Sequence, residues 1–167
     1  LNLNLKNKSI IAITVTVSSF ILLSGFSNNY QNKDYSYSVE IHRDKWGVPH
    51  IYGESDKDAA FGLAYAHCED DYETIEEVIL ALRGKFASVK GYKYAPIDYL
   101  VGLLKVWDNV NSKYDKEISD DVKLICDAYA DGVNRYIEKN NIKSNIYPAK
   151  GKDVIAGFVF RTPLMLN

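Results

Sequence analysis

Residues that carry chemistry are scarce in this chain. It holds two cysteines and three histidines, His42, His50 and His67. No Cys-x-x-Cys and no His-Glu-x-x-His occurs, so two common signatures of zinc binding are missing. A surplus of positive charge is missing too. Lys and Arg number 20 against 22 Asp and Glu, a net charge of −2. Residues 1–27 contribute Lys6 and Lys8 and no acid, which leaves 18 against 22, or −4, for the rest. Nucleic acid favours basic patches, so no nucleic-acid partner is expected. There is no internal repeat and no low-complexity tract. The remaining composition, 47% hydrophobic and 25% charged over 167 residues, is that of an ordinary globular chain with room for one domain. Its 13 tyrosines are spread along the chain and suit half-buried packing.

One long apolar run is present, Ile10 to Leu23, with no charge until Lys33. Lys6 and Lys8 precede it, and Ser24, Gly25 and Ser27 offer small residues for cleavage. Residues 1–27 therefore read as a signal peptide, which predicts an exported protein, periplasmic or extracellular. Leu22-Leu23-Ser24-Gly25 looks like the front of a lipoprotein box, but Phe26 stands where the lipid-bearing cysteine belongs. An uncleaved anchor is the alternative, although about 17 residues with several Thr and Ser is marginal for spanning a bilayer. Leu1 is not a normal start residue, so the true N-terminus stays open. Export would permit a Cys68–Cys126 disulfide. Two free buried thiols are the other reading, since both cysteines lie beside apolar residues on expected helices.

Residues 28–38 are polar and read as a loose linker. From there the pattern predicts a mainly α chain behind a short β hairpin. Val39-Glu40-Ile41-His42-Arg43 alternates as a half-buried strand does, and His50-Ile51-Tyr52 forms a second strand after the Gly47-Val48-Pro49 turn. Ser55 with Asp56 and Asp58 marks a helix start. That helix, to His67, is rich in Ala and Gly, which lets another element approach closely. Tyr72, Ile75, Ile79, Leu82 and Phe86 follow as one amphipathic stripe, weakened by Gly84 and closed by Gly91. Tyr94-Ala95-Pro96 opens a short helix expected over Ile97 to Trp107. Ser119, followed by two acids, caps a further helix. Ile118, Val122, Ile125, Tyr129, Val133 and Tyr136 are expected to line its buried face. Residues 140–150 read as a polar loop, and Asp153 to Leu166 as a last helix, broken or capped near Pro163.

Three constellations invite a chemical reading. His42-Arg43-Asp44 has the letters of a kinase catalytic loop, but Pro49 stands where that loop needs Asn, and neither Asp-Phe-Gly nor a Gly-rich phosphate loop exists. His67-Cys68-Glu69-Asp70-Asp71 looks like a metal or thiol site. Successive helical residues point about 100° apart, so these five cannot all converge on one ion. A cysteine nucleophile would need a base, and His50 and His67 are the available pair. The plainer reading is that His67 bonds at a helix junction and that Asp70 or Asp71 starts the next helix. Trp46, in a turn, suits a surface or interface role, and Trp107 suits the core.

The ordered motifs carry a family likeness. Arg43-Asp44, Gly47-Val48-Pro49-His50-Ile51, Asp58, Phe61-Gly62, Ala64-Tyr65-Ala66-His67 and Glu69-Asp70 are similar to the start of the penicillin acylase family. Arg83-Gly84 and Val89-Lys90-Gly91 follow as they do in that family, and Ala128-Tyr129-Ala130-Asp131-Gly132-Val133-Asn134 is a second family-like island. The likeness covers residues 39–167. The run through Ala66 to Asp70 stands nearer the aculeacin and acyl-homoserine-lactone acylase branch than the penicillin G branch.

That resemblance implies a part of a larger α+β (αββα) N-terminal-nucleophile hydrolase fold. Such enzymes are made as one precursor that cuts itself into an α and a β chain, and the nucleophile is the first residue of the β chain. The resemblance therefore implies no catalytic residue, no metal ligand and no cofactor in this chain. It implies a β chain from the same precursor as partner and a small-molecule acyl amide as substrate. By loose alignment Thr162 and Leu166 fall near pocket-lining positions, with plain packing as the other reading. Arg43, Asp44, Gly47, Pro49, His50, His67 and Asp70 are expected to serve architecture. A non-catalytic exported helical module, or a degenerate truncated gene product, is the alternative from a different class.

Overall fold

A computed structural model describes residues 35–165. The export-signal reading of residues 1–27, the linker up to residue 34 and the pocket assignment of Leu166 lie outside the described residues.

Alternation of Val39 and Ile41 against Ile51 sets a two-stranded antiparallel hairpin, β1 (Val39–Arg43) and β2 (Pro49–Gly53). Ile41 pairs with Ile51 and Arg43 with Pro49. Gly47 makes the reversal with φ +85, a region that costs an L side chain. Asp44 builds the turn around it, its Oδ1 accepting the N–H groups of Trp46 at 2.8 Å and Val48 at 3.0 Å.

The hairpin lies on α1 (Asp56–Leu82). At Gly62 a Cβ would stand 2.5 Å from the Val39 side chain and 2.9 Å from that of Ile51, so strand and helix meet where the helix has no side chain. Ser55 stands at the N-cap, but its hydroxyl bonds the Asp58 carboxylate rather than a helix N–H. The expected junction is present at Asp71, whose φ of −157 and ψ of 76 interrupt the helix. Asp71 also restarts it, accepting the Thr74 N–H at 3.1 Å and the Thr74 hydroxyl at 2.6 Å.

The remaining helices are α2 (Phe86–Lys90), α3 (Ala95–Leu103), α4 (Val106–Glu117), α5 (Asp120–Lys139) and α6 (Gly151–Met165). Long α5 crosses α1 at Gly132, where a Cβ would run into the Phe61 carbonyl and lie 2.8 Å from Ala64 Cβ. Ala64, Ala66, Ala128 and Ala130 are buried along this seam. A second core joins Leu82, Val101, Val106, Val110, Cys126, Ile155 and Ala156. Cys68 and Cys126 are both buried and free.

Several expectations need correction. The apolar stripe from Tyr72 does not run unbroken to Phe86: Gly84, at φ +61, ends α1, and Phe86 belongs to α2. Leu80, left out of that stripe, is almost fully buried. The helix expected over Ile97 to Trp107 is two helices, divided at Lys105 in left-handed conformation. On α5 only Val133 of the expected face is buried, and Val122 is 41% exposed. The deep face is Cys126, Ala130, Val133 and Ile137 instead: Gly132 and Ala130 let α1 approach closely, and the larger Val133 and Ile137 are fully buried beside them. Residues 35–38 are not loose. Tyr37 stacks on Phe61 at 4.4 Å and donates to Asp131 at 2.9 Å, and Tyr35 donates to Glu138 at 2.9 Å. Nor is the 140–150 loop merely polar, for Ile146 is completely buried.

Candidate functional site

Three places combine the residues singled out by sequence with defined geometry. The first is the hairpin turn. Arg43 Nη1 donates to the Gly47 carbonyl at 2.8 Å and pairs with Asp70 at 2.8 Å, while Nη2 reaches Glu69 at 3.1 Å. One guanidinium thus ties the turn to α1. The bond that Arg43 donates to Glu69, with Asp70 beside it, raises Arg43 further above its usual range. Burial pushes Asp44 up, but the Trp46 and Val48 N–H groups and His50 outweigh it and hold the carboxyl below its usual range. His50 Nε2 lies 3.6 Å from Asp44 Oδ2, and Pro49 opens β2.

Asp70 is not the residue that caps a helix. That duty falls to Asp71, and Asp70 faces Arg43 instead. His67 Nδ1 meets the Tyr129 hydroxyl at 3.1 Å, which links α1 to α5 across the break. His42 is paired with Glu40 at 2.9 Å. Cys68 is 1% exposed, and burial pushes its thiol up to about 12, the opposite of an activated nucleophile. Among the described residues no three His, Cys, Asp or Glu side chains gather where a metal ion could sit.

The second place is an apolar groove of about 830 Å³ between α4, α5 and α6. Leu63, Val110, Ile118, Val122, Ile125, Tyr129, Val154, Phe158, Thr162 and Pro163 line it. The α5 residues misassigned to the deep core, Val122, Ile125 and Tyr129, form one of its walls. Thr162 stands near the far end of α6, and its hydroxyl donates to the Phe158 carbonyl at 2.7 Å. It thus brings no spare donor to the groove. Its charged lining is the exposed Lys113–Glu117 pair of α4, 3.8 Å apart. The groove can take an apolar chain or cover an apolar surface.

The third place was missed by sequence reasoning. Arg83, at the end of α1, grips Asp153 in the first turn of α6 through Nε at 2.8 Å and Nη2 at 2.7 Å. It also donates to the carbonyls of Ile146 at 2.8 Å and Pro148 at 2.9 Å. Asp153 is 3% exposed. The signal available was an Arg before a helix-ending Gly and an Asp in a later first turn, which names two residues but not their pairing.

The penicillin amidase family model matches residues 38–155. An acyl-homoserine lactone acylase, QuiP, of Pseudomonas putida is 30% identical over 105 residues, covering 63% of this chain and 13% of that protein. Penicillin G acylase of Escherichia coli is 27% identical over 106 residues, covering 64% of this chain and 12% of that protein. The chain thus spans about an eighth of these curated relatives. Among solved structures, a thermostable penicillin G acylase from Alcaligenes faecalis superposes with a TM-score of 0.59 at 24% identity, over 80% of this chain and 74% of that one. At that identity the likeness speaks for the fold, that of an N-terminal-nucleophile hydrolase, here a mainly helical region with one hairpin. The family match runs from the residue before β1 into the second turn of α6, and the chain belongs to the penicillin amidase family.

Proposed function

We propose that this chain is the N-terminal, α-chain region of an exported, self-processing amidohydrolase that cleaves an acyl amide to a carboxylic acid and an amine. The observation that carries this reading is the family match over residues 38–155. Support for export comes from Lys6 and Lys8 ahead of the Ile10–Leu23 run.

The chemistry belongs to a β chain from the same precursor. Every Ser, Thr and Cys among the described residues is internal and has no free α-amine. The hydroxyl or thiol that heads the β chain attacks the acyl carbon, and its own α-amine takes the proton directly or through a water. The β chain's oxyanion hole holds the tetrahedral intermediate; the amine leaves with a proton, and water frees the carboxylic acid. This chain contributes the wall around that centre. The groove between α4, α5 and α6, with Thr162 at its rim, forms part of the acyl pocket or of the surface the β chain covers.

The test is hydrolysis of a panel of N-acyl amides by the product of the complete reading frame and by residues 28–167 alone. The expected result is carboxylic acid and amine in equal amounts from the first and none from the second. Turnover by residues 28–167 alone contradicts the reading. A stop codon directly after Asn167, with no amidase activity, returns the choice to a non-catalytic helical module.

A further inference from the structure

The two halves of α6 are held very differently. Gly151, Asp153, Ile155 and Ala156 are buried, whereas Phe158 is 67% exposed and residues 161–165 are all exposed. No polar contact from another element reaches the outer half among the described residues; the Thr162 hydroxyl bonds only its own helix. Val159 and Phe160 pack against the second core, so the outer half is held by apolar contact alone, and the polar bonds that fix the angle of α6 lie at its base.

The base is fixed by one side chain above all. Four hydrogen bonds from Arg83 join the end of α1 to Asp153 and to the two loop carbonyls, Ile146 and Pro148, that lead into α6. Asp153 Oδ2 accepts the Lys150 N–H at 2.8 Å as well, which closes the first turn on the same carboxylate. A planar fork of this kind fixes angle as well as distance, which a lysine ammonium cannot do. Thr162 lies nine residues beyond Asp153, about 13 Å along the helix. A tilt of about 10° at the base carries that position by about 2 Å, enough to open or shut a groove that fits an alkyl chain.

We propose that Arg83 is a positioning residue for substrate selection: acting through Asp153 and the loop carbonyls, it sets the direction of α6 and so the acyl-chain length the assembled enzyme accepts. The inference rests on the groove serving the acyl pocket of the proposed amidase. It assigns no catalytic contact to Arg83.

The test uses the complete, processed protein with active sites titrated, and N-acyl amides from butanoyl to dodecanoyl. Arg83→Lys keeps the charge and loses the fork; Asp153→Asn keeps the shape and weakens the pair. Either variant that matures is informative. The expected result is a change of about tenfold or more in the ratio of kcat/KM between long and short acyl chains, carried mainly by KM. Turnover per site on the butanoyl amide is expected to stay within about twofold of wild type. A lower yield of processed enzyme with an unchanged chain-length ratio makes Arg83 a fold stabiliser only and overturns the proposal. So does failure of both variants to mature. Wild-type protein that hydrolyses none of the amides sinks the amidase reading itself, an outcome visible before any variant is made.

Discussion

Asp71 leaves helical geometry, and Asp70, beside it, does not. Sequence placed a junction here and could not choose between the two acids, because both suit a helix N-terminus and only the backbone path decides which one faces the free N–H groups. The Thr74 hydroxyl first, and then the Thr74 N–H, hold the Asp71 carboxyl below its ordinary value of 3.8. A depressed folded pKa stabilises the folded state above the unfolded value, and that contribution is lost as pH falls through the folded one. Wild-type protein is therefore expected to lose this part of its thermal stability as pH falls below about 4, and Asp71→Asn to lose less over the same range. An unchanged acid limb in the variant removes Asp71 from the account. Asp70→Ala breaks a half-exposed ion pair and should shift the unfolding midpoint less than Asp71→Ala does. The glycines give a second comparison. Gly47 has open space around its Cβ position, so Gly47→Ala meets only the positive φ and should cost about 1 kcal/mol. Gly132→Ala drives a methyl into the Phe61 carbonyl and Ala64 and should cost about 3 kcal/mol or prevent maturation. Equal effects contradict the close crossing of α1 and α5.

At the scale of elements, the long helices and the hairpin were legible because their signals are local. Alternation placed β1 and β2, small residues marked the approach face of α1, and acids at Asp120 and Asp121 marked the start of α5. The register of the α5 core face was not legible. Periodicity weights large apolar residues, while this helix buries Ala130, Gly132 and Asn134 against its neighbours and leaves Val122 to the groove. The loop before α6 was misread for a related reason. Its composition is polar, yet Ile146 is completely buried, and Asn134 grips Ala149 with bonds of 2.9 and 2.7 Å. Ile146→Ala should therefore destabilise by about 2–5 kcal/mol, as a core deletion does. Hydrogen exchange should show the loss as faster exchange through residues 140–153 in the full-length product. A surface-like shift below about 0.5 kcal/mol contradicts the anchoring.

Across the whole molecule, the described residues form a mainly helical unit with an apolar side left open. Leu63, Val122, Phe158, Leu164 and Met165 are between 39% and 67% exposed. A patch of that kind on a lone chain favours association. Residues 28–167 expressed alone are expected to bind a hydrophobic dye and to self-associate, and Phe158→Asp should reduce both. A monomeric segment that melts cooperatively without dye binding counts against a covered face. The family was legible in sequence from ordered motifs, such as Gly47-Val48-Pro49-His50-Ile51, because those residues hold a turn and a helix contact that tolerate few alternatives. The chemistry was not legible, because the function proposed above assigns the nucleophile to a β chain. Mass spectrometry of the mature product of the complete reading frame tests this most directly. The account predicts two chains, the first containing residues 39–167 and the second beginning with Ser, Thr or Cys. A single uncleaved chain that hydrolyses acyl amides, or a second chain beginning with any other residue, would contradict it.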